Sequence, residues 1–242
     1  FSYNSGTFSS IQLSSGELVP DVNTVSNRSN IRITAGATTN GSWSPAYNTS
    51  NNTTYTFTPS ANNATINVTE IATLLNTRYS NVIINTTFAG ATQVGQVDFA
   101  TALSTTNPNS IDRTLTVNGG GDVNISSAIT LGFTDTRNGW PGYRAHSLSV
   151  TTAGNINVSA AINARGALDM NANTNNMPDG GSVTLSSTVG VVRVTSQITA
   201  SGALHTGNTN LAGLTGGSSG NISISGAGGV SISAPLVALG ST

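Results

Sequence analysis

Over most of its length the chain alternates short apolar-polar-apolar triplets with turns rich in Gly, Ser, Thr and Asn. Four segments share one layout. Leu115-Thr116-Val117, Val123-Asn124-Ile125 and Ile129 form the first; Leu148-Ser149-Val150, Ile156-Asn157-Val158 and Ile162 form the second. Val183-Thr184-Leu185, Val192-Arg193-Val194 and Ile198 form the third; Ile222-Ser223-Ile224, Val230-Ser231-Ile232 and Leu236 form the fourth. In every copy the second triplet is followed, four places on, by a lone apolar residue. The ends of the second triplets lie 33, 36 and 38 residues apart, so length varies only in the loops. A weaker fifth copy fits Val82-Ile83-Ile84, Val97-Asp98-Phe99 and Leu103.

Alternation with a period of two puts the outer residues of each triplet on one face and the middle residue on the other, as a half-buried strand requires. Leu, Ile and Val go inward; Thr, Ser, Asn and Arg go outward. One copy is too small to hide its apolar face, so copies must stack, with parallel strands about 4.8 Å apart and a continuous core along the axis. The fold class expected is therefore all-β, a right-handed parallel β-helix (β-solenoid), the hand following from the general handedness of parallel crossovers. An antiparallel sandwich also has many short strands, but does not require the same pair plus the same trailing residue to recur. The regular part is expected over residues 62–242, with residues 1–61 an irregular N-terminal capping region. There Asn30-Ile31-Arg32-Ile33-Thr34 and Thr54-Tyr55-Thr56-Phe57-Thr58 read as strands, and Trp43, Tyr47, Tyr55 and Phe57 as a cluster covering the first copy.

Composition sharpens this picture. Charged residues make up 7% of the 242 and apolar residues 36%, enough to build a core and too little charge for solvated helices. No Cys is present, which excludes disulfides and thiolate metal sites. All eight basic residues are Arg against nine acids, for a net charge of -1, so no basic stripe suits nucleic acid. The longest apolar runs, such as Leu236-Val237-Ala238-Leu239, are far too short for membrane insertion as a helix. The chain opens at Phe1 rather than Met, which reads as a mature or excised fragment of an extracellular or cell-surface protein.

The phrases Gly181-Ser182-Val183-Thr184-Leu185 with Val192 through Gly202, and Gly154-Asn155-Ile156-Asn157-Val158 through Gly166, resemble the repeats of filamentous haemagglutinin-like bacterial adhesins. Ala64 through Asn76, followed by Val82-Ile83-Ile84, is similar to the short helix or turn and strand that often precede them. The likeness covers about residues 62–240. It implies a right-handed parallel β-helix, export through an outer membrane, and a role in adhesion or cell-surface fibres. It transfers no catalytic residues.

Parallel β-helices also carry polysaccharide lyases and hydrolases, the alternative function, and these need clustered carboxylates. Glu17, Asp21, Glu70, Asp98, Asp112, Asp122, Asp135, Asp169 and Asp179 are scattered and share no outward column of the repeat. His146 and His205 both fall between repeats and read as solvated loop residues. Gly119-Gly120-Gly121-Asp122 resembles part of a calcium-binding nonapeptide, but occurs once. No catalytic, cofactor-binding or metal residue is therefore assigned, and no cofactor is expected.

The loop from Phe133 to His146 is chemically the most diverse stretch. Its Asp135, Arg137, Trp140, Tyr143 and Arg144 suit stacking on a sugar and bonding its hydroxyls, or anchoring a protein partner; a Trp140 folded over the side of the repeat is the bland alternative. Sequons begin at Asn27, Asn40, Asn48, Asn51, Asn52, Asn63, Asn67, Asn85, Asn124, Asn157 and Asn221, candidate N-glycosylation sites wherever the source has such a system. The partners expected are a copy of the chain itself in end-to-end assembly or the continuation of a longer parent chain, and a glycan or protein receptor from a host or the environment.

Overall fold

The computed structural model describes residues 10–12, 18–20, 27–47, 54–76, 78, 80–106, 111–132, 144–166, 178–203 and 217–240. They are mostly β, with one helix among them and three largely parallel sheets. A separate antiparallel pair joins Ser10–Gln12 to Leu18–Pro20.

The first sheet runs, strand by strand, through Gly41–Ser44, Thr54–Pro59, Asn81–Asn85, Thr114–Asn118, Ser147–Thr152, Val183–Ser187 and Ile222–Gly226. Only its first pair is antiparallel. The second runs through Ala64–Asn67, Ile31–Thr34, Val97–Phe99, Val123–Ile125, Ile156–Val158, Val192–Val194 and Val230–Ile232. The third holds Leu103–Ser104, Ile129–Thr130, Ile162–Asn163, Ile198–Thr199 and Leu236–Val237. From Asn81 onward the chain visits the sheets in that order and returns, so each pass, or row, adds one strand to each.

Register follows the repeat residue for residue. Val82, Leu115, Leu148, Val183 and Ile222 are partners down the first sheet. Val97, Val123, Ile156, Val192 and Val230 are partners down the second, and Leu103, Ile129, Ile162, Ile198 and Leu236 down the third. A one-residue slip would turn every such column to water, which is why alternation specifies register so strongly. Residues of all three sheets meet in one apolar core.

Polar ladders reinforce the stacking. Immediately after the second triplet, Ser126 Oγ donates to the Phe99 carbonyl at 3.0 Å, Ser159 Oγ to Ile125 at 3.3 Å, Thr195 Oγ1 to Val158 at 3.1 Å and Ser233 Oγ to Val194 at 3.4 Å. Each hydroxyl thus binds the row before its own. At the corner leaving the first sheet the backbones nearly touch: a Cβ on Gly154 would lie 2.3 Å from Gly121 C, and one on Gly190 2.6 Å from Gly154 C. The glycine in this turn is required by that approach.

The N-terminal strands enter the same sheets. Ile31–Thr34 inserts between Ala64–Asn67 and Val97–Phe99, while Thr54–Pro59 pairs in parallel with Asn81–Asn85. Tyr55 and Phe57 are fully buried, and Trp43 meets Phe57 edge-on with centroids 5.4 Å apart. Tyr47 packs partly buried against the core. The helix Val68–Asn76 starts where Asn67 Oδ1 accepts the Thr69 N–H at 2.8 Å, an N-cap. Ile71, Leu74 and Leu75, at helical spacing, form its buried face against Ala64–Asn67, Asn81–Asn85 and Leu103–Ser104, the edge strand of the third sheet. Glu70 accepts from Trp43 Nε1 and Thr38 Oγ1, both at 2.7 Å, tying helix to hairpin.

Candidate functional site

Of the loop proposed for binding, Asp135, Arg137, Trp140 and Tyr143 lie outside the described residues. Arg144 is described, and its guanidinium is engaged internally: Nη1 is 3.1 Å from Asp112 Oδ2 and Nη2 is 2.7 Å from Asp179 Oδ2. Those two acids precede the first-sheet strands of the rows on either side. Arg144 therefore clamps three successive rows rather than presenting a free charge.

His146 does not sit in solvent as the sequence reading expected. It is fully buried, and neither ring nitrogen has a hydrogen-bond partner among the described residues. Its position explains this: His146, Leu148, Val150 and Thr152 share one parity, and all four point inward. Burial, with a smaller contribution from the Arg113 charge, lowers its pKa from 6.5 to about 4. An imidazole held neutral with no acid or nucleophile bonded to it is not arranged as a catalytic base. His205 lies outside the described residues.

The same parity brings Thr86, Thr152 and Ser187 inside, where Ser187 Oγ donates to Gly154 O at 2.6 Å, Thr86 Oγ1 to Asn118 O at 3.2 Å and Thr152 Oγ1 to Gly121 O. These hydroxyls satisfy corner carbonyls and are not free nucleophiles.

On the outer face of the second sheet the middle residues of the triplets form one column: Thr65, Arg32, Asp98, Asn124, Asn157, Arg193 and Ser231. Asn157 Nδ2 donates to Asn124 Oδ1 at 2.9 Å, Asn124 Nδ2 to Asp98 Oδ1 at 2.8 Å, and Gln96 Nε2 to the same oxygen at 2.8 Å. A second ladder beside it runs from Asp122 Oδ1, which accepts the Asn155 N–H at 2.7 Å, to Asn155 Oδ1, which accepts the Val191 N–H at 2.9 Å. Asp98 and Asp122 thus terminate amide ladders. No group of three or more His, Cys, Asp or Glu able to hold a metal occurs among the described residues.

The described sequons differ in how their amides are used. Asn124 and Asn157 spend theirs within the ladder, and Asn40 Nδ2 donates to Asn62 O at 3.1 Å. Asn27, Asn67 and Asn85 use their oxygens to accept backbone N–H groups, and Asn63 accepts from Gln93 Nε2. Asn221 is exposed. Asn48, Asn51 and Asn52 lie outside the described residues.

A groove that the sequence reading did not single out lies along the outer face of the third sheet, with a volume of about 390 Å³. Asn163 and Thr199 stand side by side in it, with Arg165, Gln197, Val237 and Leu239 around them. Parity again gave the signal: after Ile162 points inward, Asn163 points out, Ala164 in and Arg165 out.

No protein-family model matches the chain, and neither the curated proteins nor the solved structures give a significant match.

Proposed function

We propose that the chain is a right-handed parallel β-helix serving outside the cell as a structural and adhesive module, a segment of a cell-surface adhesin or fibre that extends lengthwise. The observation that carries this reading is the pairing pattern: every row adds one strand to each of three sheets in unchanged register. Such an arrangement has no internal limit on length, and a parallel crossover of this kind is right-handed in nearly all proteins. In the row 222–237, Val230, Ile232 and Leu236 are 41–46% exposed, beside an edge strand in each sheet. A further row, from a second copy or from a longer parent chain, would cover these side chains and edges.

Receptor contact falls to the outward column of the first sheet, Thr116, Ser149, Thr184 and Ser223, whose hydroxyls make no hydrogen bond among the described residues and carry no charge. The resemblance of residues 62–240 to filamentous haemagglutinin-like repeats favours the same role. A polysaccharide-active enzyme would instead need paired carboxylates in a cleft.

The test is electron microscopy of the purified protein together with adherence of cells or particles displaying it. Fibres, or adherence above that of undisplayed controls, are expected. Monodisperse particles at high concentration combined with no adherence would remove the proposal, and product release from a polysaccharide would favour the enzyme.

A further inference from the structure

We infer that the groove on the third sheet is a binding site for an acidic polysaccharide, with Arg165 receiving a uronate carboxylate. This names a receptor class for the adhesive reading and rests on that reading only for its biological role; the binding itself stands on the groove.

Three observations converge. First, Arg165 lines the groove half-buried, and no carboxylate pairs with its side chain among the described residues. A planar carboxylate is the group a guanidinium fork fits best. Arg144, two positions ahead of His146, shows the contrast: its charge is taken up by Asp112 and Asp179.

Second, the polar side chains beside Arg165 have donors to spare. Asn163 Oδ1 accepts the Arg165 N–H at 3.1 Å, and its Nδ2 makes no hydrogen bond within the described residues. The Gln197 amide and the Thr199 hydroxyl likewise make no hydrogen bond within the described residues. Ser201, by contrast, is occupied, since its Oγ donates to Val237 O at 3.4 Å and accepts from the Leu239 N–H at 3.1 Å. Unused amides and a hydroxyl suit sugar hydroxyls, and the apolar Val237 and Leu239 suit a ring face.

Third, the groove crosses successive rows: Asn163, Thr199 and Val237 are register partners in adjacent strands. Strands lie about 4.8 Å apart, close to the length of one sugar ring, so a linear polymer can follow the direction of stacking. An acidic peptide also offers a carboxylate, but its backbone has no ring face to lie against Val237 and Leu239.

The experiment is titration calorimetry of the purified chain with an oligogalacturonate, its methyl ester and an oligoglutamate. The expected result is saturable binding of the oligogalacturonate, weakened roughly tenfold or more in the ester and in Arg165→Gln, because a charge-assisted hydrogen bond is lost. Gln197→Ala, an exposed change that leaves the fold alone, is expected to weaken binding several-fold. No saturable binding at millimolar oligogalacturonate overturns the inference. So does an ester or an oligoglutamate bound as tightly as the acid sugar, or unchanged affinity in both variants. None of these outcomes alters whether the chain forms fibres, so failure of the groove and failure of the adhesive reading remain distinguishable.

Discussion

The two ends of the stacked rows use the same alternation and meet different fates. Near residues 31–76, Ile31, Ile33, Tyr55, Phe57 and Ile66 are buried, and the helix Val68–Asn76 adds Ile71, Leu74 and Leu75 on top. In the row 222–237 the equivalent positions Val230 and Ile232 are 46% and 44% exposed, and Leu239 is 55% exposed. Burial is thus conferred on a triplet by the row beyond it. The helix, the Trp43 hairpin and the Glu70 bonds supply that neighbour at one end in place of another row.

The sharpest way to break this contrast is to place a charge at each end. Leu74→Asp buries an unpaired carboxylate and is expected to cost about 4 kcal/mol or more, whereas Ile232→Asp, already facing water, is expected to cost about 1 kcal/mol or less. Urea unfolding of the two variants checks this, and equal losses would refute the distinction between the ends.

Acid probes the interior between them. His146 has a folded pKa of about 4 against 6.5 in the unfolded chain, so between those values the unfolded state binds more protons. Its neutral burial is fully compatible with the fold above pH 6.5, and stability falls as pH drops from 6.5 to 4, by about 3 kcal/mol in all. His146→Leu is expected to flatten that part of the stability profile. A wild-type profile level across the window would show that the imidazole is hydrated after all.

A smaller effect is expected at the hairpin. Trp43→Phe keeps an aromatic ring against Phe57 but removes the bond to Glu70 and part of a buried side chain, costing about 2 kcal/mol, with hydrogen exchange in Val68–Asn76 rising before that in Val123–Ile125. Uniform loosening of both segments would mean that the helix and the rows open as one unit.

The rows were legible in the sequence because Leu115, Leu148, Val183 and Ile222 each sit in a triplet whose parity cannot slip without exposing the core. The scarcity of helix was legible in composition, because so little charge leaves no solvated face for one. The placement of Ile31–Thr34 was not: it pairs with Ala64–Asn67 on one side and Val97–Phe99 on the other, and short strands of like pattern compete equally for such neighbours. His146 was misread because polar type was weighed above parity, although its two-residue offset from Leu148 marked it as inward. Arg165 lies beyond the triplets, and its outward direction is set by the alternation that continues from Ile162 through Ala164. For the binding loop, only the fate of Arg144 is described, and its two carboxylate partners are distant in sequence.

The hydroxyls of Ser126, Ser159, Thr195 and Ser233 all reach back by one row and never forward. Under tension along the stacking direction, the outermost row detaches with its own donors and leaves the bonds behind it intact. The protein would therefore lengthen in instalments rather than all at once. Each instalment is one repeat of 33 to 38 residues, which gives roughly 110 to 130 Å of extended chain. A stack built this way yields one row at a time, so the force it transmits is capped by the strength of a single row.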